Sequence, residues 1–179
     1  PSGWHETTIS STQDVVQFNT RVLDESTYPH IAYGDTALRV MKYAYQDANG
    51  WHTTVLGSSW SPSSSGLDVD RSGRPHIAYR RASAIDPVRY TTLTASGWIS
   101  ETLPSSLGGS CRLIVDWYDR VHLQCDTGYA YRDASGWHAS ACGAGDVLAV
   151  DANGYPHALT LRTSEDCAEN AWYELDYDH

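Results

Sequence analysis

A pattern that occurs four times along the chain constrains the fold more than any other feature of the sequence. In each copy an aspartate is followed, six positions later, by a histidine that opens a short apolar stretch. The four pairs are Asp24 and His30, Asp70 and His76, Asp116 and His122, and Asp151 and His157. Such recurrence is typical of repeat architectures, in which each copy is one supersecondary unit. The chain, residues 1–179, is therefore predicted to be a single domain of four similar units.

Each unit contains four short stretches that alternate apolar and polar residues, the pattern of a half-buried strand. Strand A precedes the aspartate, strand B begins at the histidine, strand C contains a tyrosine, and strand D opens with Gly-Trp. The tyrosine and the tryptophan form three equivalent pairs: Tyr43 with Trp51, Tyr90 with Trp98, and Tyr129 with Trp137. Since no segment has a helical period, each unit is predicted to be a four-stranded antiparallel sheet.

Four-stranded antiparallel units in tandem indicate a β-propeller, whose blades pack around a channel. The predicted fold class is all-β, a four-bladed β-propeller with four antiparallel strands per blade. The blades are expected over residues 14–57, 64–103, 110–141 and 145–179. The last blade lacks a strand D, and residues 3–10, which begin with Gly3-Trp4, are expected to supply it. The alternative is a half-propeller that dimerises into eight blades.

The turn between strands C and D resembles the Asp-box of the sialidase-like (BNR-type) β-propeller superfamily, Ser-x-Asp-x-Gly-x-x-Trp. Here the turn reads Asp47-Ala-Asn-Gly-Trp51 and Asp133-Ala-Ser-Gly-Trp137, while Thr94 replaces the aspartate in the second unit. The distance from aspartate to tryptophan is one residue shorter than in the Asp-box. The resemblance implies the propeller fold. It does not extend to sialidase activity, because no residues match that superfamily's three arginines and tyrosine nucleophile.

Composition narrows the partners that this chain can bind. The formal net charge is -10, and Lys42 is the single lysine, whereas nucleic acids and anionic membranes require a basic face. No apolar run approaches the roughly 18 residues of a membrane span. Seven Trp and twelve Tyr against one Phe suit thin sheets with wet edges or a sugar-binding surface. The predicted partner is a carbohydrate or other small polar ligand, without nucleic acid or membrane insertion, and a homodimer is left open.

The four cysteines fall at places where adjacent strands can bring them together. Cys111 begins a strand A and Cys125 ends the following strand B, whereas Cys142 lies in a D–A linker and Cys167 in the next B–C loop. The predicted bridges are therefore Cys111–Cys125 and Cys142–Cys167, with free thiols as the alternative. The chain has no C-x-x-C pair of the kind that binds zinc. Disulfides indicate a secreted or otherwise extracytoplasmic protein.

The repeated aspartates and histidines are expected to be structural. An aspartate before a tight turn can accept backbone N–H groups, and a histidine between blades can bond a polar neighbour. The alternative is a metal bound by four imidazoles around an axis. We predict no metal site and no cofactor, apart from a structural cation that the channel of a small ring could hold.

Function is expected where the loops depart from the repeat, because a rigid scaffold positions them. One face carries the D–A linkers and B–C loops, here called the linker face. An aromatic ring beside charged groups there would suit a sugar. The candidate ligand-binding residues on this face are Trp60, Asp35, Arg39, Arg80, Arg81, Asp86 and Asp126. The opposite face has a second aromatic set on the A–B turns: Tyr28, Trp117, Tyr118 and Tyr155.

The sequence has no Ser-His-Asp order, H-E-x-x-H motif, glycine-rich phosphate loop or EF-hand pattern. The predicted function is a secreted, non-enzymatic binding module, a lectin-like propeller for carbohydrate. The alternative is a small enzyme, a hydrolase, lyase or cyclase, with its site at the channel mouth on the linker face. Similar aromatic pockets in every blade would favour binding, whereas a single pocket with carboxylates or a histidine of shifted pKa would favour an enzyme.

Overall fold

The computed structural model describes residue 3 and residues 6–9, 15–58, 60–81, 86–140 and 147–159. Within these ranges the chain forms four antiparallel sheets, and each sheet follows the order of the sequence. The first sheet contains β1 (Val15–Leu23), β2 (Pro29–Asp35), β3 (Val40–Asp47) and β4 (Gly50–Ser58). The second contains β5 (Trp60–Val69), β6 (Pro75–Arg81), β7 (Val88–Thr94) and β8 (Gly97–Thr102). The third contains β9 (Cys111–Val115), β10 (Val121–Cys125), β11 (Gly128–Asp133) and β12 (Gly136–Ser140), and the fourth contains β13 (Val147–Val150) and β14 (Pro156–Leu159).

The all-β class is confirmed, and so is the four-stranded antiparallel sheet in the first three units. Only strands A and B of the fourth unit lie in the described part of the chain, because residues 160–179 fall outside it. Residues 3 and 6–9 of the predicted closing strand belong to none of the four sheets. Closure of the ring therefore stays a prediction. Within the described ranges, no helix could span a membrane.

The four A–B turns share one geometry, which the repeated aspartate sets. In the second sheet, the Asp70 carboxylate accepts the backbone N–H groups of Ser72 and Arg74, both at 2.9 Å. The residue three positions after each aspartate has a positive φ: Thr27, Gly73, Asp119 and Gly154. A carboxylate that accepts N–H groups holds such a turn closed. The repeated aspartate in the sequence therefore corresponds to a repeated turn in the structure.

Neighbouring sheets meet through their first strands, since β1 packs on β5, β5 on β9, and β9 on β13. The closest approach is at Gly66 of β5, where a Cβ atom would lie 2.8 Å from the backbone N of Leu113 in β9. Only glycine fits this position. Two residues further along, the Asp68 carboxylate accepts the N–H of Val115 at 2.8 Å, which ties the second sheet to the third.

Tryptophans of strand D complete the core between sheets. Trp98 packs edge-on against Tyr43 of the preceding sheet at a centroid distance of 5.3 Å. Trp137 packs in the same way against Tyr90 at 5.1 Å. Each tryptophan therefore covers the strand-C tyrosine of the sheet before it, and such ring pairs stabilise a structure by about 0.5–1.5 kcal/mol beyond their buried area.

The Cys111–Cys125 bridge is confirmed, and it joins facing residues of β9 and β10. It lies at the end of the third sheet opposite the A–B turn. Cys142 and Cys167 fall outside the described residues.

Candidate functional site

The first three units each carry a relay of aspartate, histidine and tyrosine with a buried histidine, and the described part of the fourth unit holds the aspartate and the histidine. The histidine Nδ1 lies 2.5 Å from the tyrosine hydroxyl in the His30–Tyr43 and His76–Tyr90 pairs, and 2.6 Å in His122–Tyr129. The histidine Nε2 faces the turn aspartate at 3.5 Å for His30 and His76, 3.1 Å for His122 and 3.6 Å for His157. Each histidine therefore bonds inside its own sheet. Among the described residues, no group of three or more His, Cys, Asp or Glu side chains could hold a metal.

The pKa values within the relay shift in the same direction in the second and third sheets. Burial lowers the pKa of His76 and of His122, which keeps both imidazoles neutral near neutral pH. Burial raises the pKa of Tyr90 to about 12 and also raises the pKa of Tyr129. Burial opposes ionisation of Asp70, yet the hydrogen bonds from Ser72 and Arg74 prevail and lower its pKa. Because the second and third sheets share these shifts, the pKa values do not distinguish one of these two sheets from the other.

Of the predicted linker-face residues, those whose side chains the structure describes line neither of the two cavities described below. Asp35 is fully buried, bonds Lys42 Nζ at 2.7 Å and accepts the N–H of Leu38 at 3.0 Å, so it holds the β2–β3 loop. Asp126 accepts the N–H of Ser110 at 2.8 Å. The other candidates are dispersed: Arg39 is exposed in a loop, whereas Arg80 and Asp86 are half-buried. The side chains of Trp60 and Arg81 lie outside the described part of the structure.

A cavity of about 750 Å³ opens instead between the second and third sheets, beside their A–B turns. We call it the inter-sheet groove. Its polar wall consists of Arg74, Arg120, Arg132, Asp119, Asp133, Thr92, Thr94 and Asn153. Tyr118, an exposed ring, also lines it. The groove therefore lies on the face opposite to the one that the sequence favoured.

The groove exists because the second sheet lacks a pair of side chains that its neighbours carry. In the first sheet, Tyr45 stacks on its cross-strand partner His52 at 4.8 Å. In the third sheet, Tyr131 stacks on His138 at 4.6 Å. The paired residues at the same place in the second sheet are Thr92 and Ile99, and both line the groove. Because Thr92 is much smaller than a tyrosine, the space that two stacked rings occupy elsewhere stays open.

The missing pair also uncovers the relay beneath it. Tyr45 lies over His30 with ring centroids 6.0 Å apart, and Tyr131 lies over His122 at 6.4 Å. His76 has a threonine at the equivalent position and is 8% exposed, against 3% for His30 and 2% for His122. His76 and Tyr90 consequently line the groove.

The three arginines of the groove are each held by a carboxylate. Arg74 Nε bonds Asp70 at 2.6 Å, Arg120 Nε bonds Asp116 at 2.7 Å, and Arg132 Nη2 bonds Glu101 at 3.0 Å. An arginine has five N–H donors in a rigid fork. One bond to a carboxylate fixes the fork and leaves other donors for a ligand. Because each arginine is paired with an acid, the wall offers oriented donors and acceptors without a large excess of charge.

Two more groups define the rim of the groove. The Arg120 guanidinium lies 5.2 Å from the centre of the Tyr118 ring. Hydrogen bonds from Ser135 lower the pKa of Asp133 to about 2, so this carboxylate is an acceptor throughout the ordinary pH range. The rim therefore combines an aromatic ring with a permanent hydrogen-bond acceptor.

A second, smaller cavity of about 180 Å³ lies at the ends of the first strands of the first three sheets. We call it the turn cavity. Its wall includes Leu23, Glu25, Asp68, Arg71, Val115 and Trp117.

The sequence singled out Tyr118 and Trp117 as exposed turn aromatics, and it gave His76, Tyr90, Asp70 and Asp116 only a structural role in the repeat. It did not single out the three arginines of the groove. The signal for the groove was present, since aligning the repeats places Thr92 and Ile99 opposite a Tyr and a His of the other units. The arginines carried no comparable signal, because their proximity arises from the packing of two sheets.

Comparisons with known proteins add a structural likeness. The chain matches no protein-family model, and no curated protein matches it. Among solved structures it is similar to a fucose lectin from Kordia zhangzhouensis in complex with methyl-fucoside. The TM-score is 0.47 and the sequence identity is 16%, over 69% of this chain and 97% of that chain.

Proposed function

We propose that this protein is a lectin-like carbohydrate-binding module and that the inter-sheet groove is its binding site. The observation that carries the proposal is the wall of arginines held by carboxylates beside the exposed Tyr118 ring. Sugars present apolar ring faces and many hydroxyls. A site for them needs an aromatic surface together with a few oriented polar groups. A wall of paired charges suits a neutral sugar better than a strongly anionic one.

The histidine in the groove supports binding over catalysis. His76 has a lowered pKa and faces a cavity, which is the combination expected of an enzyme. However, His122 has the same shift beneath a covering tyrosine. Both nitrogens of His76 also face partners, the Tyr90 hydroxyl at 2.5 Å and the Asp70 carboxylate at 3.5 Å. An imidazole held in this way supplies the groove with a rigid floor and no free base.

A glycan-array screen tests the proposal. It compares the wild-type protein with a variant whose groove is filled by residues that the other sheets carry at the same place. Thr92→Tyr combined with Ile99→His gives the second sheet the stacked pair that the first and third sheets carry. We expect the wild-type protein to bind a coherent class of neutral glycans and the double variant to lose that binding. Tyr155→Ala is the control, because Tyr155 is another exposed turn aromatic that lines neither cavity. Absence of glycan binding by the wild type, or equal binding by the groove-filled variant, would overturn the proposal.

We also propose that the four sheets close into a four-bladed propeller, with residues 3–10 as the missing strand of the fourth sheet. The packing of successive first strands supports a radial arrangement. The repeated contact of each tryptophan with the tyrosine of the preceding sheet supports it as well, since Trp4 would then cover Tyr129. The mass in solution tests the closure. A monomer fits four blades, whereas an obligate dimer fits the eight-bladed alternative and contradicts the proposal.

The Cys111–Cys125 disulfide supports an extracytoplasmic location, because such bonds persist in oxidising compartments. We propose that Cys142 and Cys167 form the second bridge. Alkylation of the native protein followed by mass spectrometry is expected to detect no free thiol. Labelling of Cys142 and Cys167 would contradict the second bridge.

A further inference from the structure

The residue that follows each repeated aspartate differs in all four units. These residues are Glu25, Arg71, Trp117 and Ala152. They occupy equivalent positions in the A–B turns, where the fold itself sets little demand on the side chain. Among the first three, Arg71 nevertheless contacts both of the others. The Arg71 guanidinium lies 4.1 Å from the centre of the Trp117 ring, and its Nε lies 4.0 Å from Glu25 Oε1.

These three side chains line the turn cavity, and each comes from a different sheet. The Trp117 ring is 63% exposed although it is the largest apolar surface there. Arg71 contributes donors and Glu25 contributes acceptors, and Leu23 and Val115 add apolar wall. An open aromatic ring beside a paired donor and acceptor is the same chemistry as the inter-sheet groove, at a smaller volume.

One turn connects the two cavities. Trp117 lines the turn cavity and Tyr118, the next residue, lines the groove. Consecutive Cα atoms are about 3.8 Å apart, so the two rings belong to one short stretch of surface. The turn is rigid, because the Asp116 carboxylate accepts the N–H groups of Tyr118 at 2.8 Å and Arg120 at 2.9 Å.

We infer that the turn cavity is a second saccharide subsite and that the ligand of this protein is a linear oligosaccharide. One sugar residue occupies the inter-sheet groove, and the chain then crosses the turn at Tyr118 and Trp117 to place a further residue against Trp117, Arg71 and Glu25. The inference rests on the proposed function. It adds that chain length, rather than the terminal sugar alone, determines affinity. Linked contacts at two adjacent subsites multiply their separate affinities.

Titration calorimetry with saccharides of increasing length tests this inference. The probes are the methyl glycosides of glucose, galactose, mannose and N-acetylglucosamine, each with its linear di-, tri- and tetrasaccharide. We expect the wild-type affinity in at least one series to rise about tenfold or more with length, which corresponds to about 1.4 kcal/mol. Trp117→Ala is expected to remove that gain and to leave the affinity for the methyl glycoside unchanged. Tyr118→Ala is expected to weaken every member of the series.

The variants separate the inference from the proposed function. Tyr155→Ala again serves as the control, and circular dichroism checks that each variant is folded. A series that binds with an affinity independent of length, or a gain that survives Trp117→Ala, would overturn the second subsite and leave the groove intact as a sugar site. Absence of binding at every length in all four series would overturn both.

Discussion

The second and third sheets are built from the same unit, yet the second leaves its buried histidine open to the inter-sheet groove, whereas the third covers its histidine with Tyr131. Both hold the aspartate, histidine and tyrosine of the relay in the same geometry. They differ in the pair of residues outside the relay, which is Tyr131 and His138 in the third sheet and Thr92 and Ile99 in the second. The repeated residues therefore build the scaffold. The groove opens where one repeat departs from the others.

That departure has an energetic cost. Stacked rings contribute about 0.5–1.5 kcal/mol beyond their buried area, and the second sheet forgoes this contribution. It also leaves a buried histidine closer to water, with His76 as the floor of the groove. Functional sites commonly give up stability in this way.

Removal of a relay histidine should have the largest effect on stability. The loss should be greater in the third sheet, where Tyr131 covers the relay. His122→Ala leaves the Tyr129 hydroxyl and the Asp116 carboxylate without their shared partner in a dry interior, so we expect a loss of about 3–4 kcal/mol in the free energy of unfolding. His76→Ala should cost about 2 kcal/mol, because water entering through the groove can bond the Tyr90 hydroxyl. Urea unfolding at neutral pH measures both values. Equal losses would show that the groove does not hydrate the relay.

Opening a second groove should have an intermediate effect. Tyr131→Thr combined with His138→Ile gives the third sheet the residues of the second and removes the stack over His122. We expect a loss of about 2 kcal/mol in unfolding free energy. Faster modification of His122 by diethyl pyrocarbonate should accompany it. Unchanged reactivity of His122 would mean that the tyrosine is not what covers the relay. As the control, Tyr155→Ala should leave the free energy of unfolding within about 0.5 kcal/mol of the wild-type value.

Much of the scaffold could be predicted from the sequence, because it depends on local chemistry that repeats. The turn at Asp70 and the strands on either side follow from a carboxylate, a glycine at positive φ and alternating apolar residues. The Cys111–Cys125 bridge follows from a hairpin that sets strand ends opposite each other. The candidate site could not be predicted in the same way. Asp35 looked like a ligand group but is buried against Lys42, while Arg74, Arg120 and Arg132 come together only through the packing of two sheets.

Acid should destabilise the protein by a smaller amount, and both sheets should contribute. Burial holds the folded-state pKa of His76 and His122 below the ordinary value of 6.5, so the unfolded chain binds more protons as the pH falls through that value. Stability should therefore decrease between about pH 7 and about pH 5. The lowered pKa values of Asp70 and Asp116 add a further loss at more acidic pH, below the ordinary value of 3.8. Urea midpoints across this range measure the effect.

The histidine variants provide the check on the pH dependence. His76→Ala and His122→Ala should each flatten the curve between about pH 7 and about pH 5, since each removes one group whose pKa is lower in the folded state. A wild-type midpoint that is constant or rises on acidification through this range would contradict the assignment of neutral, buried imidazoles.

The smallest expected change in stability comes from filling the inter-sheet groove. It tests whether the second sheet gives up stability in exchange for ligand binding. Thr92→Tyr with Ile99→His restores the stacked pair, and we expect the unfolding free energy to rise by about 1 kcal/mol while glycan binding is lost. A gain in stability together with a loss of binding would mean that the groove serves ligand binding and that the stacked pair is given up for it. If urea unfolding shows that the same variant is less stable than the wild type, the arginines of the third sheet do not leave room for the rings. The groove would then be a consequence of how Arg120 and Arg132 pack, and the comparison between the two sheets would rest on those arginines instead of on the missing pair.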